Sequence, residues 1–203
     1  MSNRVGFVLG GADGILSHFL TQPLQDFHAW YEGALQEFPE EFDAARWRLL
    51  GDIVQQGPSA IDQAPPAAVN FLILDYYGDY ANIHGLIQEL HEYWDKLDYH
   101  QLLVETFHQA GHTVVAGLLA HTVMGRLVIP DPGFPLNEWL DYQLSFWTVT
   151  EVVTLKNAID EISEEALSLL ADDEMLLHAF ETTREALDMA AAQSTGLIIF
   201  VGW

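Results

Sequence analysis

Hydrophobic positions follow two patterns along this chain: short unbroken apolar runs at both ends, and long stretches between them where apolar residues recur every three or four positions. Val5 to Leu9 is apolar without helical spacing and stops at Gly10-Gly11, the pattern of a buried strand entering a turn. Gly196 to Gly202 has the same character. Each run carries backbone N–H and C=O groups that a core cannot leave unpaired, so the two are expected to pair with each other or to share one small sheet.

The middle of the chain reads as helices. Leu24, Phe27, Tyr31, Leu35 and Phe38 step by three and four after Thr21-Gln22-Pro23, where Thr21 suits a cap and Pro23 a first turn. A second helix is expected over 41–55 with Phe42, Ala45, Leu49 and Ile53 inward, stopping before Gly57-Pro58. Pro65-Pro66 opens a third, with Val69, Leu72, Ile73 and Tyr76 on one side. Ile83, Leu86, Ile87, Leu90, Trp94 and Leu97 form the clearest amphipathic pattern, with Glu89, Glu92 and Asp95 outward. One helix over 99–124 follows, and 125–129 suggests a further short strand. Thr148-Val149-Thr150-Glu151 has the spacing of a capping box ahead of Val152, Leu155, Ile159 and Ile162. The last helix is expected to start near Asp172 and to bury Leu176, Phe180, Thr183, Leu187 and Ala190. The expected fold is α+β: a predominantly helical single domain over 1–203 whose small sheet includes the N-terminal and C-terminal strands. No repeat, low-complexity tract or long linker offers a boundary.

Composition supports a packed chain, since half of the 203 residues are hydrophobic and 18% are charged. Charge changes the picture more. Thirty Asp and Glu stand against seven Lys and Arg, a formal net charge of −23, which argues against a surface for nucleic acid or acidic membrane. The absence of cysteine removes disulfides, thiolate nucleophiles and cysteine-based metal sites. The apolar stretch before Gly10 is too short for a signal peptide, and no run reaches the roughly 18 apolar residues of a membrane span. A soluble, cytoplasmic protein is the expectation.

Candidate chemistry is sparse. Glu105, His108 and His112, on one continuous helix, fall within about 60° of one another and offer a face for a divalent metal. The plainer alternative is a solvated face, with Leu103, Ala110, Val114 and Leu118 turned to the core. Gln109 occupies the position of the base in the zinc-protease pattern His-Glu-x-x-His. His121 lies about 160° around the same helix from Glu105 and reads as a core histidine. No Gly-x-Ser-x-Gly elbow is present, and the glycines from Gly6 to Gly14 lack the Lys-Ser/Thr of a phosphate loop, which leaves an Asp13-Gly14 turn. Asp75-Tyr76-Tyr77-Gly78-Asp79-Tyr80 suggests the lip of an aromatic groove for a small apolar ligand, against the commoner fate of such rings in a core.

The acidic stretches are the strongest signal. Glu37, Glu40, Glu41 and Asp43 cluster at one inter-helix junction, and Asp160, Glu161, Glu164, Glu165, Asp172, Asp173 and Glu174 cluster at the start of the C-terminal helical pair. Such patches steer a basic partner, as an inhibitor or immunity protein does toward a nuclease toxin; plain solubility is the alternative. The leading expectation is a protein-binding module of inhibitor or immunity type for a basic protein partner, contacted through Glu161 to Glu174 and Glu37 to Asp43. The alternative is a metal-binding protein or metal-dependent enzyme using Glu105, His108 and His112. No other cofactor is expected.

From Trp139 through the Thr148-to-Glu151 box to the closing Gly196-Leu197-Ile198-Ile199-Phe200-Val201, the C-terminal third resembles the bacterial YfbM-like group of uncharacterised proteins. The likeness lies in a capped helix, an acidic helix pair and a final apolar strand. It implies an α+β cytoplasmic protein and carries no catalytic residue across.

Overall fold

The fold was obtained as a computed structural model and describes residues 4–10, 14–84, 88–89, 95–133, 143–163, 167–168, 170 and 173–202. It is α+β and predominantly helical, with a small antiparallel sheet that contains the N-terminal and C-terminal strands. Contacts divide the chain into two compact units, 1–13, 87–126 and 135–203 in one, 14–86 and 127–134 in the other.

The first unit is built on the sheet. Strand β1 (Arg4–Gly10) pairs antiparallel with the last strand, β5 (Gly196–Gly202), over its full length, from Arg4 opposite Gly202 to Gly10 opposite Gly196. The two apolar runs therefore satisfy each other's backbone groups. Strand β4 (Gln143–Trp147) takes the far edge of β5, so β5 is central, and Leu197 to Val201 are buried on both faces. The other edge of β1 carries two short strands, β2 (Gln88–Glu89) and β3 (Asp95–Lys96). These strands overturn the amphipathic helix expected from Ile83 to Leu97. Ile83 is 69% exposed, and Leu86, Ile87, Leu90 and Trp94 lie outside the described residues.

Helices cover one face of this sheet. The single helix expected over 99–124 is two, numbered α6 (Leu97–Gln109) and α7 (Thr113–Met124) in chain order. They are separated at Gly111, whose φ of +84° is a conformation that glycine adopts without a side-chain clash. Helix α8 (Val149–Asp160) begins with the expected capping box. Thr148 Oγ1 accepts from the Glu151 N–H, and Glu151 Oε2 accepts from the Thr148 N–H at 2.9 Å. Helix α9 (Glu174–Ala192) is capped by Asp173 rather than Asp172, and buries Leu176, Phe180, Thr183, Leu187 and Ala190. Trp147, Phe7, Phe107 and Phe180 lie in the core that these helices close over the sheet.

The second unit holds α1 (Ile15–Thr21), α2 (Leu24–Glu37), α3 (Ala44–Gln56), a 3₁₀ turn over Gly57–Gln63 and α4 (Pro66–Leu74). α4 runs into a π-helical turn at Asp75–Tyr80 and ends in α5 (Ala81–Ile83). Thr21 does not cap α2; Pro23 occupies that position and the Thr21 hydroxyl donates to the His18 carbonyl. In α3, Leu50 rather than Ala45 joins Ile53 in the core. Residues 125–129 do not form a strand. The Arg126 N–H donates to the Leu144 carbonyl, and the Asn70 amide bonds both backbone groups of Ile129, at 2.8 and 3.0 Å. A side chain there supplies what a strand partner would. The π turn also decides the fate of the aromatic run: Tyr76 packs on Phe19 and Phe27, Tyr80 on Phe27 and Tyr77 on Tyr76, and the three buried rings form core, not a lip. No helix among the described residues is long and apolar enough to cross a membrane.

Candidate functional site: an acidic aromatic cleft on α2

Helix α2 presents a face of small and aromatic residues where it approaches its end. Ala29, Trp30, Gly33, Ala34, Glu37 and Phe38 succeed one another at helical spacing and line one side of an open cleft of about 510 Å³. That volume lies within the range of small-ligand sites. The small residues leave room: a Cβ added at Gly33 would meet nothing within 4 Å. α2 stops at Phe38, ahead of Pro39, and the Glu41 and Phe42 N–H groups both donate back to the Phe38 carbonyl. This folds Glu41 and Phe42 onto the second wall. Asp79 from the π turn and Ile83 complete the cleft.

The rings are held by one another. Phe42 meets Trp30 edge-on at 5.5 Å and Tyr31 at 5.2 Å, and Trp30 lies 5.6 Å from Tyr80. Phe38, 46% exposed, and Ile83 stand at the mouth. Isolated exposed apolar side chains are common on proteins, but here they border a cleft that also holds three carboxylates, Glu37, Glu41 and Asp79. Asp79 is half-buried; burial and then the charge of Glu41 push its carboxyl up to about 6.

A buried ion pair behind the cleft fixes its second wall. Arg46 Nη1 lies 2.8 Å from Asp75 Oδ2, with each side chain 14% exposed. The Tyr31 hydroxyl donates to the same oxygen at 2.8 Å. Arg46 also donates through Nη2 to the Glu41 carbonyl, which ties the turn after α2 to the π turn, and its guanidinium stacks over Phe71. Burial pushes the Asp75 carboxyl up to about 7 against the pull of Arg46 and Tyr31. Burial also raises the Tyr31 phenol, so Tyr31 stays a donor.

Glu37, Glu40, Glu41 and Asp43 thus sit together as the charge pattern suggested, and Asp43 also caps α3 by accepting from the Ala45 N–H. Among the described residues no cationic side chain pairs with these carboxylates. Asp75 and Asp79 stood out only as part of an aromatic run, and their place beside Arg46 and Glu41 did not, because that run is distant from them in the sequence.

The C-terminal patch is arranged differently. Glu161 ends α8 and Glu174 opens α9, both exposed, while Asp173 is engaged as a cap, accepting from Met175 and Leu176. Glu164, Glu165 and Asp172 lie outside the described residues. Two of the scarce cations serve the neighbouring acids: Lys156 bridges Asp160 and Asp188 at 2.9 and 2.6 Å, and Arg184 approaches Asp160 at 3.6 Å.

The metal face loses its geometric premise. Glu105 and His108 are exposed on α6, but His112 precedes α7 beyond the Gly111 turn, its ring edge-on to Phe107 at 6.1 Å. Among the described residues no group of three His, Asp or Glu side chains converges as a metal site would require. His121 is half-buried, and burial, followed by the charge of Arg126, lowers its pKa. Compared with protein-family models, curated protein sequences and solved structures, the chain finds no match.

Proposed function

We propose that this chain is a protein-binding module of inhibitor or immunity type for a basic protein partner, which it engages at the turn after α2. One observation carries the reading: an open, ring-lined cleft bordered by carboxylates that no cation of the described residues neutralises. An apolar surface ringed by one sign of charge supplies both parts of a docking site, desolvation at its centre and electrostatic steering at its rim. Glu161 and Glu174, in the first unit, are exposed carboxylates of the second acidic patch.

The test uses an arginine-rich peptide of about eight residues as probe, titrated at about 50 mM and about 500 mM salt, where screening differs strongly. Charge reversal of Glu37 and Glu41 is expected to weaken low-salt binding more than tenfold, and the same reversal of Glu161 and Glu174 much less. Equal losses from both pairs would reduce the effect to net charge and remove the proposed surface.

A further inference from the structure

Resting on that reading, the geometry points to an arginine side chain of the basic partner as the occupant of the α2 cleft, its stem on Phe38 and Trp30 and its guanidinium beside Glu41 and Asp79. Three observations select this occupant. The first is charge: Glu37, Glu41 and Asp79 share one cleft, and Arg46, the cation behind it, is committed to Asp75 and to the Glu41 carbonyl. A neutralising cation must therefore come from outside the described residues.

The second observation is spacing. The carboxylates line one cleft yet do not converge as a group that could hold a metal ion. A bare divalent ion needs several oxygens within about 2.6 Å, whereas a guanidinium carries five donors on a planar fork and reaches carboxylates that stand apart. The third is the lining. Trp30, Phe38 and Phe42 offer rings against which a weakly hydrated, delocalised cation gains attraction, and a strongly hydrated ammonium gains less. Arginine satisfies charge, reach and lining together. Lysine satisfies the first alone.

The experiment titrates the protein with three blocked tripeptides, glycyl-arginyl-glycine, its lysine counterpart and its citrulline counterpart, and follows the Trp30 indole N–H by NMR. Citrulline keeps the shape and loses the charge. The arginine peptide is expected to shift the Trp30 signal saturably and to bind several-fold tighter than the lysine peptide, with no saturable shift from citrulline. Asp79→Asn is expected to weaken the arginine peptide about tenfold. Gly33→Leu, which fills open space on the helix face, is expected to abolish the shift while circular dichroism stays native. Asp62→Asn, an equal charge change on an exposed residue outside the cleft, is expected to leave it unaltered.

Equal binding of the arginine and lysine peptides would overturn the inference, as would a citrulline peptide that binds as well as arginine. If Trp30 stays silent while the longer arginine-rich peptide still binds elsewhere, the cleft loses its occupant and the basic-partner reading stands. If neither peptide binds at low salt, both fall.

Discussion

Acidification should destabilise the first unit through one side chain, His100. It lies in α6 with 1% of its surface exposed, on the inward face shared with Leu103 and Phe107 and against the edge of Phe7 at 6.0 Å. Neither ring nitrogen has a hydrogen-bond partner among the described residues. Burial alone lowers its pKa from 6.5 to about 4, because the imidazolium would enter the core with no counter-charge and no acceptor. The folded state therefore keeps His100 neutral while the unfolded chain binds a proton below 6.5. The stabilisation is fully present above that pH and is lost as pH falls toward 4. Linkage puts the loss at about 2 kcal/mol by pH 5 and about 3 kcal/mol once both states are protonated. Carboxylates also titrate in this range, so the measurement is a difference: urea unfolding of the protein and of His100→Phe at intervals from pH 7.5 to 4.5. Phe keeps an aromatic edge on Phe7 and has nothing to protonate. The stability gap is expected to shift toward the variant by about 2 kcal/mol by pH 5. Parallel curves would refute the reasoning, as would an NMR titration placing the His100 midpoint near 6.5.

Three further outcomes follow from the same contacts. Arg46→Met should cost about 3 kcal/mol near pH 8 by leaving the Asp75 carboxylate buried without its cation, and the cost should shrink toward pH 6 as Asp75 takes up a proton; thermal unfolding at the two pH values checks both parts. Gly117 lies exposed within α7 where an added Cβ meets nothing within 4 Å, so Gly117→Ala should stabilise by about 0.5–1 kcal/mol, seen as a raised urea midpoint at unchanged slope. Binding of the arginine tripeptide should weaken as pH falls through about 6, where Asp79 loses its charge, and the Asp79→Asn variant should lack that inflection.

Features carried by a local pattern were legible in the sequence. Val5 to Leu9 and Leu197 to Val201 lack helical spacing, and each needs a backbone partner, so a shared sheet was expected, and the structure pairs them directly. The Thr148–Glu151 box closes within one turn and was found at its stated spacing. Features that depend on a distant segment were not. The free edge of β1 recruits Gln88–Glu89 and Asp95–Lys96 into strands, although helical periodicity continues across them. Asn70 replaces a strand partner at Ile129 from far along the chain. Gly111 was visible, but a glycine within an amphipathic run becomes a break only when its φ turns positive. The same division holds at the site. Glu37 and Glu41 stood out as charge, whereas Asp79 joins them only because the π turn places Tyr76, Tyr77 and Tyr80 in the core and leaves Asp79 at the cleft.

The scarcity of cations makes the placement of the remaining negative charge informative. Folding commits Arg46 to Asp75, Arg126 to Glu151 at 2.8 Å, and Lys156 and Arg184 to Asp160 and its neighbour Asp188. The first two tie separate segments together, and the last two neutralise acids where α8 packs along α9. Among the described residues none of these side chains pairs with a carboxylate of the turn after α2, although Arg46 bonds the Glu41 carbonyl there. Each carboxylate there repels the others: the charge of Glu41 already raises the Asp79 carboxyl. An entering arginine relieves that repulsion and breaks no internal pair to do so. Its attraction is therefore offset chiefly by its own desolvation, which the rings of the cleft reduce.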